Sequence, residues 1–228
     1  MNRIIPHRGV WRKQEEQNTL NAVFLALTNY SAVEIDIRQS PEGELGTGHD
    51  AYQPFEFWKI PTWHGALQKE SYFIAFHIKE AGLAIKLQQV IKDIILSGMP
   101  LEYTIFGFHD LPNGERDAYE VFFDPKHLAA ELYSFPLASE INLAWSCTSD
   151  SKVIWMADLG DKPIPDEWFE KLEASGKELI MVTPECFTKR NIKAKFCERI
   201  LSLMTDLTVH GVCTDQPEFF HEYKSKFN

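Results

Sequence analysis

The strongest constraint in this sequence is its rhythm: short runs rich in β-branched and aromatic residues recur along the 228 residues, most of them separated by stretches with helical spacing. Eight runs read as strands: Arg3–His7, Ala32–Arg38, Tyr72–Lys79, Tyr103–His109, Ile141–Ser146, Val153–Leu159, Glu178–Thr183 and Val209–Thr214. Between them, Asn18–Tyr30 aligns Leu20, Val23, Phe24, Leu27 and Tyr30 on one face, with Asn18 as the expected N-cap. Leu83–Leu96 does the same with Leu83, Leu87, Val90, Ile91 and Ile94, and Pro125–Tyr133, Pro165–Ala174 and Lys189–Met204 complete the expected helices. Runs that are apolar on both faces, such as YFIAF (72–76) and ELIMV (178–182), suit strands covered on both sides. Alternating β and α units imply parallel pairing with right-handed crossovers. The expected fold class is α/β, and eight strands at this spacing suggest a TIM (β/α)8 barrel: one domain over residues 1–228, slightly short of the ~250 usual for it. An open doubly wound sheet is the alternative, without the G-x-G-x-x-G that its dinucleotide-binding form needs after a first strand.

Charge narrows the partners. A net charge of −10 and a pI near 5.3 disfavour nucleic acid and anionic membrane surfaces. No apolar run approaches the roughly 20 residues of a membrane span, and the opening apolar stretch reaches polar sequence at Arg12–Gln17, too soon for a signal peptide. The expectations are a cytoplasmic protein with no stable membrane insertion and a small-molecule partner; nothing bears on oligomeric state. Cys147, Cys186, Cys197 and Cys213 are widely spaced, with no C-x-x-C pair, and read as reduced, mostly buried thiols.

In a barrel of this kind chemistry sits at the C-terminal ends of the strands. Those ends carry His7 and Arg8, Glu34 and Asp36, His77 and Lys79, His109 and Asp110, Ser146, Asp158, and Thr214 with Asp215. The pairs Glu34/Asp36 and His77/Lys79 have i, i+2 spacing, which on a strand turns both members to one face. Two carboxylates buried there without counter-charge would be costly, so a divalent cation or a salt-bridge cluster with Arg8 and Lys79 is required. Just beyond lies GTGHD (46–50), whose His49 can face His7. Two histidines, an arginine, a lysine and a carboxylate pair suit phosphodiester chemistry: one His takes a proton, the other gives one, and cations stabilise charge growing on phosphorus-bound oxygen.

Taken together, HRG (7–9), NTL (18–20), EIDIRQS (34–40), GHD (48–50), HIK (77–79) and GVCTDQP (211–217) resemble, in order and approximate spacing, the motifs of the glycerophosphodiester phosphodiesterase family. The resemblance covers residues 4–50 and 209–217, is weaker at 72–80, and between 100 and 208 is only that of a barrel. It implies a barrel of the phospholipase C-like phosphodiesterase type, with His7 and His49 as the acid/base pair and Arg8 and Lys79 on the phosphate. It further implies Glu34 and Asp36 as ligands of a divalent metal, Mg²⁺ or Ca²⁺, and a role in lipid metabolism. The substrate's neighbouring hydroxyl would attack phosphorus, and water would open the resulting cyclic phosphodiester.

Two positions depart from the family pattern. His77 stands where that family has a carboxylate two residues before the lysine; imidazole can ligate a metal, but it removes a negative charge and shifts preference towards Mn²⁺ or Zn²⁺. Gln17 likewise replaces a glutamate. The aromatic stretch after Asp50, a short insert at 51–70, reads as a lid over the site or as a core loop. A metal-assisted phosphodiesterase acting on glycerophosphodiesters or lysophospholipid headgroups is the first expectation. The alternatives are a catalytically impaired barrel retained as a phosphate-binding or regulatory protein, and a different phosphodiester cleavage on the same barrel.

Overall fold

The structure, a computed structural model, describes residues 3–50, 56–57, 67, 69–108, 111–112, 114–133, 150–157, 166–183, 185–188, 194–205 and 209–224. These residues form strands β1 (Arg3–Pro6), β2 (Ala32–Gln39), β3 (Leu45–Thr47), β4 (Glu56–Phe57), β5 (Tyr72–Ile78), β6 (Leu101–Phe106), β7 (Ala130–Tyr133), β8 (Val153–Ala157), β9 (Glu178–Val182) and β10 (Gly211–Thr214). The helices are α1 (Leu20–Tyr30), α2 (Ala84–Leu96), α3 (Glu115–Glu120), α4 (Asp166–Ser175), α5 (Glu185–Thr188), α6 (Ala194–Thr205) and α7 (Pro217–Lys224). The chain divides into two compact units, Pro6–Asp124 and Met1–Ile5 with Pro125–Asn228.

The first unit is built on a five-stranded sheet in the order β4-β3-β2-β5-β6. β2, β5 and β6 are parallel, in a register that sets Asp36 beside His77 and His77 beside Phe106. Every residue of β2 from Ala32 to Ile37 is buried, as expected of a strand covered on both faces. Val33, Ile35 and Ile37 alternate with Glu34, Asp36 and Arg38, so one face of the strand is apolar and the other carries charge. α1 buries Ala22, Val23, Ala26 and Leu27, and α2 buries Leu87, Ile91 and Ile94. α1 ends at Ser31, whose left-handed conformation (φ 59°) turns the chain directly into β2. His7 follows β1 and makes a parallel bridge with Glu34.

The second unit has a five-stranded sheet in the order β1-β10-β9-β8-β7, with β7 to β10 parallel. Its core includes Ile154, Leu179, Met181 and Val212 from the strands, Phe169 and Leu172 from α4, and Phe220 from α7. Cys186 and Cys213 are thiols, as expected; Cys147 lies outside the described residues, as does the side chain of Cys197.

Two expectations are corrected. Pro125–Tyr133 is not a helix: Pro125–His127 is a single 3₁₀ turn and Ala130–Tyr133 is β7, paired with β8 from Ala130↔Ile154 to Tyr133↔Ala157. Leu128, Ala129 and Ala130 are buried in succession, which a one-sided surface helix cannot do, so pairing overrides propensity. The cap of α1 is Thr19, whose side chain accepts from Ala22 N–H, not Asn18. The β2–β3 hairpin is an antiparallel addition to the alternating β/α pattern. The expected strand Ile141–Ser146, the strand ends His109, Asp110, Ser146 and Asp158, and nearly all of the aromatic insert lie outside the described residues. Among the described residues no helix is long and apolar enough to cross a membrane.

The turn carrying His7 and Arg8 depends on Gly9. It sits at φ +90°, and a Cβ there would come within 2.6 Å of the Ala22 backbone carbonyl carbon. Gly9→Ala is expected to destabilise the fold by roughly 2–4 kcal/mol, strain and overpacking combined. Urea unfolding checks this; an unchanged midpoint would contradict it.

Candidate active site

The candidate site belongs to the first unit and grows from the charged face of β2. Glu34 and Asp36 are 1% and 0% exposed. Two carboxylates so buried cost several kcal/mol each unless other groups replace their hydration. The Arg8 backbone N–H donates to Glu34 Oε2 at 3.0 Å, and His7 Nε2 lies 3.9 Å from that oxygen. Asp36 Oδ2 pairs with Arg8 Nε at 2.8 Å and accepts from Asn18 Nδ2 at 2.8 Å, while Lys79 Nζ stands 3.9 Å from Oδ1.

His77, in register beside Asp36 on β5, brings Nδ1 to 3.2 Å from Asp36 Oδ1 and 3.4 Å from Glu34 Oε1. Its ring stacks on Phe106, with centroids 4.5 Å apart and planes at 17°. Gly107 makes room for it: at φ +101°, a Cβ would sit 2.6 Å from His77 Cδ2 and 2.5 Å from the Ile78 carbonyl oxygen. Ring plane and nitrogen placement are therefore set by β6 as well as β5.

Burial alone would raise the Asp36 pKa, but contact with His77 and the charges of Arg8 and Lys79 outweigh it and hold the carboxyl well below its ordinary value. Burial alone would lower the His77 pKa; Asp36 and Glu34 reverse this and raise it to about 9, against some opposition from Lys79. In the absence of a metal, His77 is thus an imidazolium at neutral pH. Its proton stabilises the fold fully below the ordinary value of 6.5, and that contribution is lost as pH rises through about 9.

One atom each from Glu34, Asp36 and His77 can act as a ligand, all within 4.8 Å of one another. Glu34 Oε1 and Asp36 Oδ1 are buried and accept no hydrogen bond of good geometry, although both face the same imidazole nitrogen. Two bare acceptors converging with a ring nitrogen are a donor set that suits a divalent cation, so these residues fit a metal site. The alternative anticipated from sequence, a salt-bridge cluster with Arg8 and Lys79, is also present, with Arg8 on Asp36 Oδ2 and Lys79 nearer Oδ1.

His49 lies beyond β3, its side chain about one-third exposed, with Nδ1 2.7 Å from Asp50 Oδ1. Burial lowers its pKa, assisted by Arg8 and Lys79 and opposed by Asp36 and Asp50. Nδ1–H held by Asp50 leaves Nε2 as the acceptor of the neutral ring. All seven expected residues, His7, Arg8, Glu34, Asp36, His49, His77 and Lys79, fall in the first unit. Distances join His7, Arg8, Glu34, Asp36, His77 and Lys79, while His49 belongs to the group through the fields of Asp36, Arg8 and Lys79.

Sequence reasoning missed Asn18. Its amide straddles Asp36, donating from Nδ2 to Oδ2 and accepting the Asp36 backbone N–H at 3.0 Å on Oδ1. It is held by Thr47 Oγ1, which donates to its carbonyl oxygen at 2.5 Å, and by its own N–H to Arg8 O. Thr19 follows immediately and caps α1 by itself, releasing the Asn18 side chain for Asp36, a division of roles that the sequence does not signal. Gln17 accepts from Arg8 Nη1 at 3.2 Å, so the departure at this position still orients the guanidinium. Trp11 Nε1 donates to the His7 carbonyl oxygen at 3.0 Å.

No protein-family model and no curated protein matches the chain. Solved structures do. A glycerophosphodiester phosphodiesterase from Agrobacterium tumefaciens is 14% identical at a TM-score of 0.64, over 99% of this chain and 100% of that one. A candidate glycerophosphodiester phosphodiesterase from Galdieria sulphuraria is 14% identical at 0.68, over 99% and 98%. The glycerophosphodiester phosphodiesterase from Thermotoga maritima is 14% identical at 0.59, over 98% of each chain. At such identities the likeness shows the fold, the α/β barrel expected from the sequence.

Replacing Asn18 with Ala strands the Asp36 N–H and one of its oxygens, and is expected to cost about 1–3 kcal/mol, read by denaturant unfolding; full retention of stability would argue against the clamp. In protein stripped of metal, imidazole NMR should place His49 below 6.5 and His77 well above it; the reverse order would overturn the electrostatic description.

Proposed function

We propose that the protein is a phosphodiesterase that hydrolyses glycerophosphodiesters or related lysophospholipid headgroups by His/His acid–base catalysis. The observation that carries this is the cluster around Asp36: two buried carboxylates, an imidazole whose Nδ1 lies 3.2 Å from Asp36 Oδ1, and the cations Arg8 and Lys79, with His7 beside Glu34 and His49 within the field of Asp36, Arg8 and Lys79. The likeness to solved glycerophosphodiester phosphodiesterases supports it at the level of fold.

In this scheme Arg8 and Lys79 hold the phosphoryl oxygens. His49, kept neutral by burial and oriented by Asp50, takes the proton from the substrate hydroxyl next to the ester as that oxygen bonds to phosphorus. His7, backed by Glu34 Oε2, gives a proton to the departing alcohol oxygen, leaving a cyclic phosphodiester. Water then opens the ring with the two imidazoles exchanging roles, so no net proton is consumed by them. Glu34, Asp36 and His77 would hold the divalent metal, which when bound would supply positive charge to the phosphoryl oxygen and the attacking hydroxyl.

His7→Ala and His49→Ala are each expected to lower turnover of glycerophosphocholine by about 10²–10⁴-fold with circular dichroism unchanged; wild-type turnover in both would reject the scheme. An imidazole in the ligand set favours Mn²⁺ or Zn²⁺, and His77→Glu should move activity towards Mg²⁺ or Ca²⁺. Calorimetric titration checks metal binding directly. The second reading, a phosphate-binding barrel that has lost catalysis, is favoured by the His77 imidazolium already occupying the cation's place; it predicts binding of no divalent metal and no hydrolysis.

A further inference from the structure

Arg38 and Glu80 border the site without a part in the chemistry above. Arg38 continues the row Glu34, Asp36 along the same face of β2. Its Nε donates to the backbone carbonyl of His49 at 2.8 Å, and its Nη1 pairs with Glu80 Oε2 at 3.2 Å. The other Glu80 oxygen accepts the Gln39 backbone N–H at 2.7 Å, fixing the carboxylate against the end of β2. Both side chains are mostly sheltered, 19% and 26% exposed, so this is not a solvated surface pair. A guanidinium fork engaged at two of its nitrogens is held in one orientation, which a lysine cannot reproduce.

The segment it holds follows β3, which is paired with β2 and β4 as far as Thr47. Gly48 N–H donates to Asp36 O at 3.1 Å, and Asp50 meets the His49 ring. Gly48, between the end of β3 and the imidazole, adds little backbone stiffness of its own. The anchor at the His49 carbonyl therefore fixes where the following ring stands relative to β2.

We propose that Arg38, braced by Glu80, is a positioning residue that sets the place of the His49 imidazole beside the phosphate-binding face. This rests on the reading of His49 as the proton acceptor in phosphodiester cleavage. It assigns Arg38 no contact with substrate: the loss on its removal falls on the step His49 serves, while Glu34, Asp36 and His77 keep their arrangement.

The test combines kinetics on glycerophosphocholine with imidazole NMR of Arg38→Ala, Arg38→Lys and Glu80→Ala. Arg38→Ala is expected to lower kcat by about 10–100-fold, the scale of a small misplacement, with KM changed by no more than about twofold. Its His49 resonance should shift and titrate closer to 6.5, while the His77 resonance stays put. Arg38→Lys should fail to restore kcat, and Glu80→Ala should show the same pattern at about 3–10-fold. Glu80→Ala also serves if Arg38→Ala does not fold. Unchanged kcat and an unchanged His49 resonance in folded variants would overturn the proposal. A shifted His49 resonance in a protein whose wild type hydrolyses nothing would uphold the positioning and reject the phosphodiesterase reading.

Discussion

Everything at this site follows from the burial of Asp36. A carboxylate with no exposed surface survives as an anion only if cations and donors converge on it, and here Arg8, Asn18, and His77 with Lys79 do so from three separate stretches of chain. Each of those stretches is thereby fixed in place. The left-handed turn at Arg8 and Gly9 exists to bring a guanidinium and a backbone N–H to β2, and the register of β5 exists to bring His77 alongside. A polar cluster of this kind contributes little net stability, since desolvation offsets most of the attraction. Its use is to hold charge ready.

The same cluster explains why a histidine can stand among these carboxylates. As an imidazolium it balances them without a metal; as a neutral ring it offers them a third ligand atom. Phe106 and Gly107 hold the ring in place beside the two carboxylates. Across the site the opposite logic acts on His49, where partial burial and the neighbouring cations favour the uncharged ring. Two imidazoles in one unit are thus driven apart in basicity by their surroundings.

Much of this was legible in the sequence because it is periodic. The i, i+2 spacing of Glu34 with Asp36 and of His77 with Lys79 placed both pairs on one strand face, and runs rich in β-branched and aromatic residues marked β2 and β5 nearly to the residue. What escaped was not periodic. Asn18 was read as a helix cap because cap residues and clamp residues share the same short polar side chains, and only the fold reveals that Thr19 takes the cap. The segment 125–133 carries a helical pattern that strand pairing overrides, and the three-residue β3 is too short to leave a signal. The Arg38–Glu80 pair joins positions 42 apart in sequence, a distance that no local pattern spans.

Phosphorus NMR of wild-type protein with glycerophosphocholine and Mn²⁺ tests the central claim most directly. A site in which Glu34, Asp36 and His77 bind metal while His7 and His49 move protons predicts a transient five-membered cyclic phosphodiester that then gives way to glycerol phosphate. Metal shown to bind, with the substrate resonance unchanged over prolonged incubation, would contradict it.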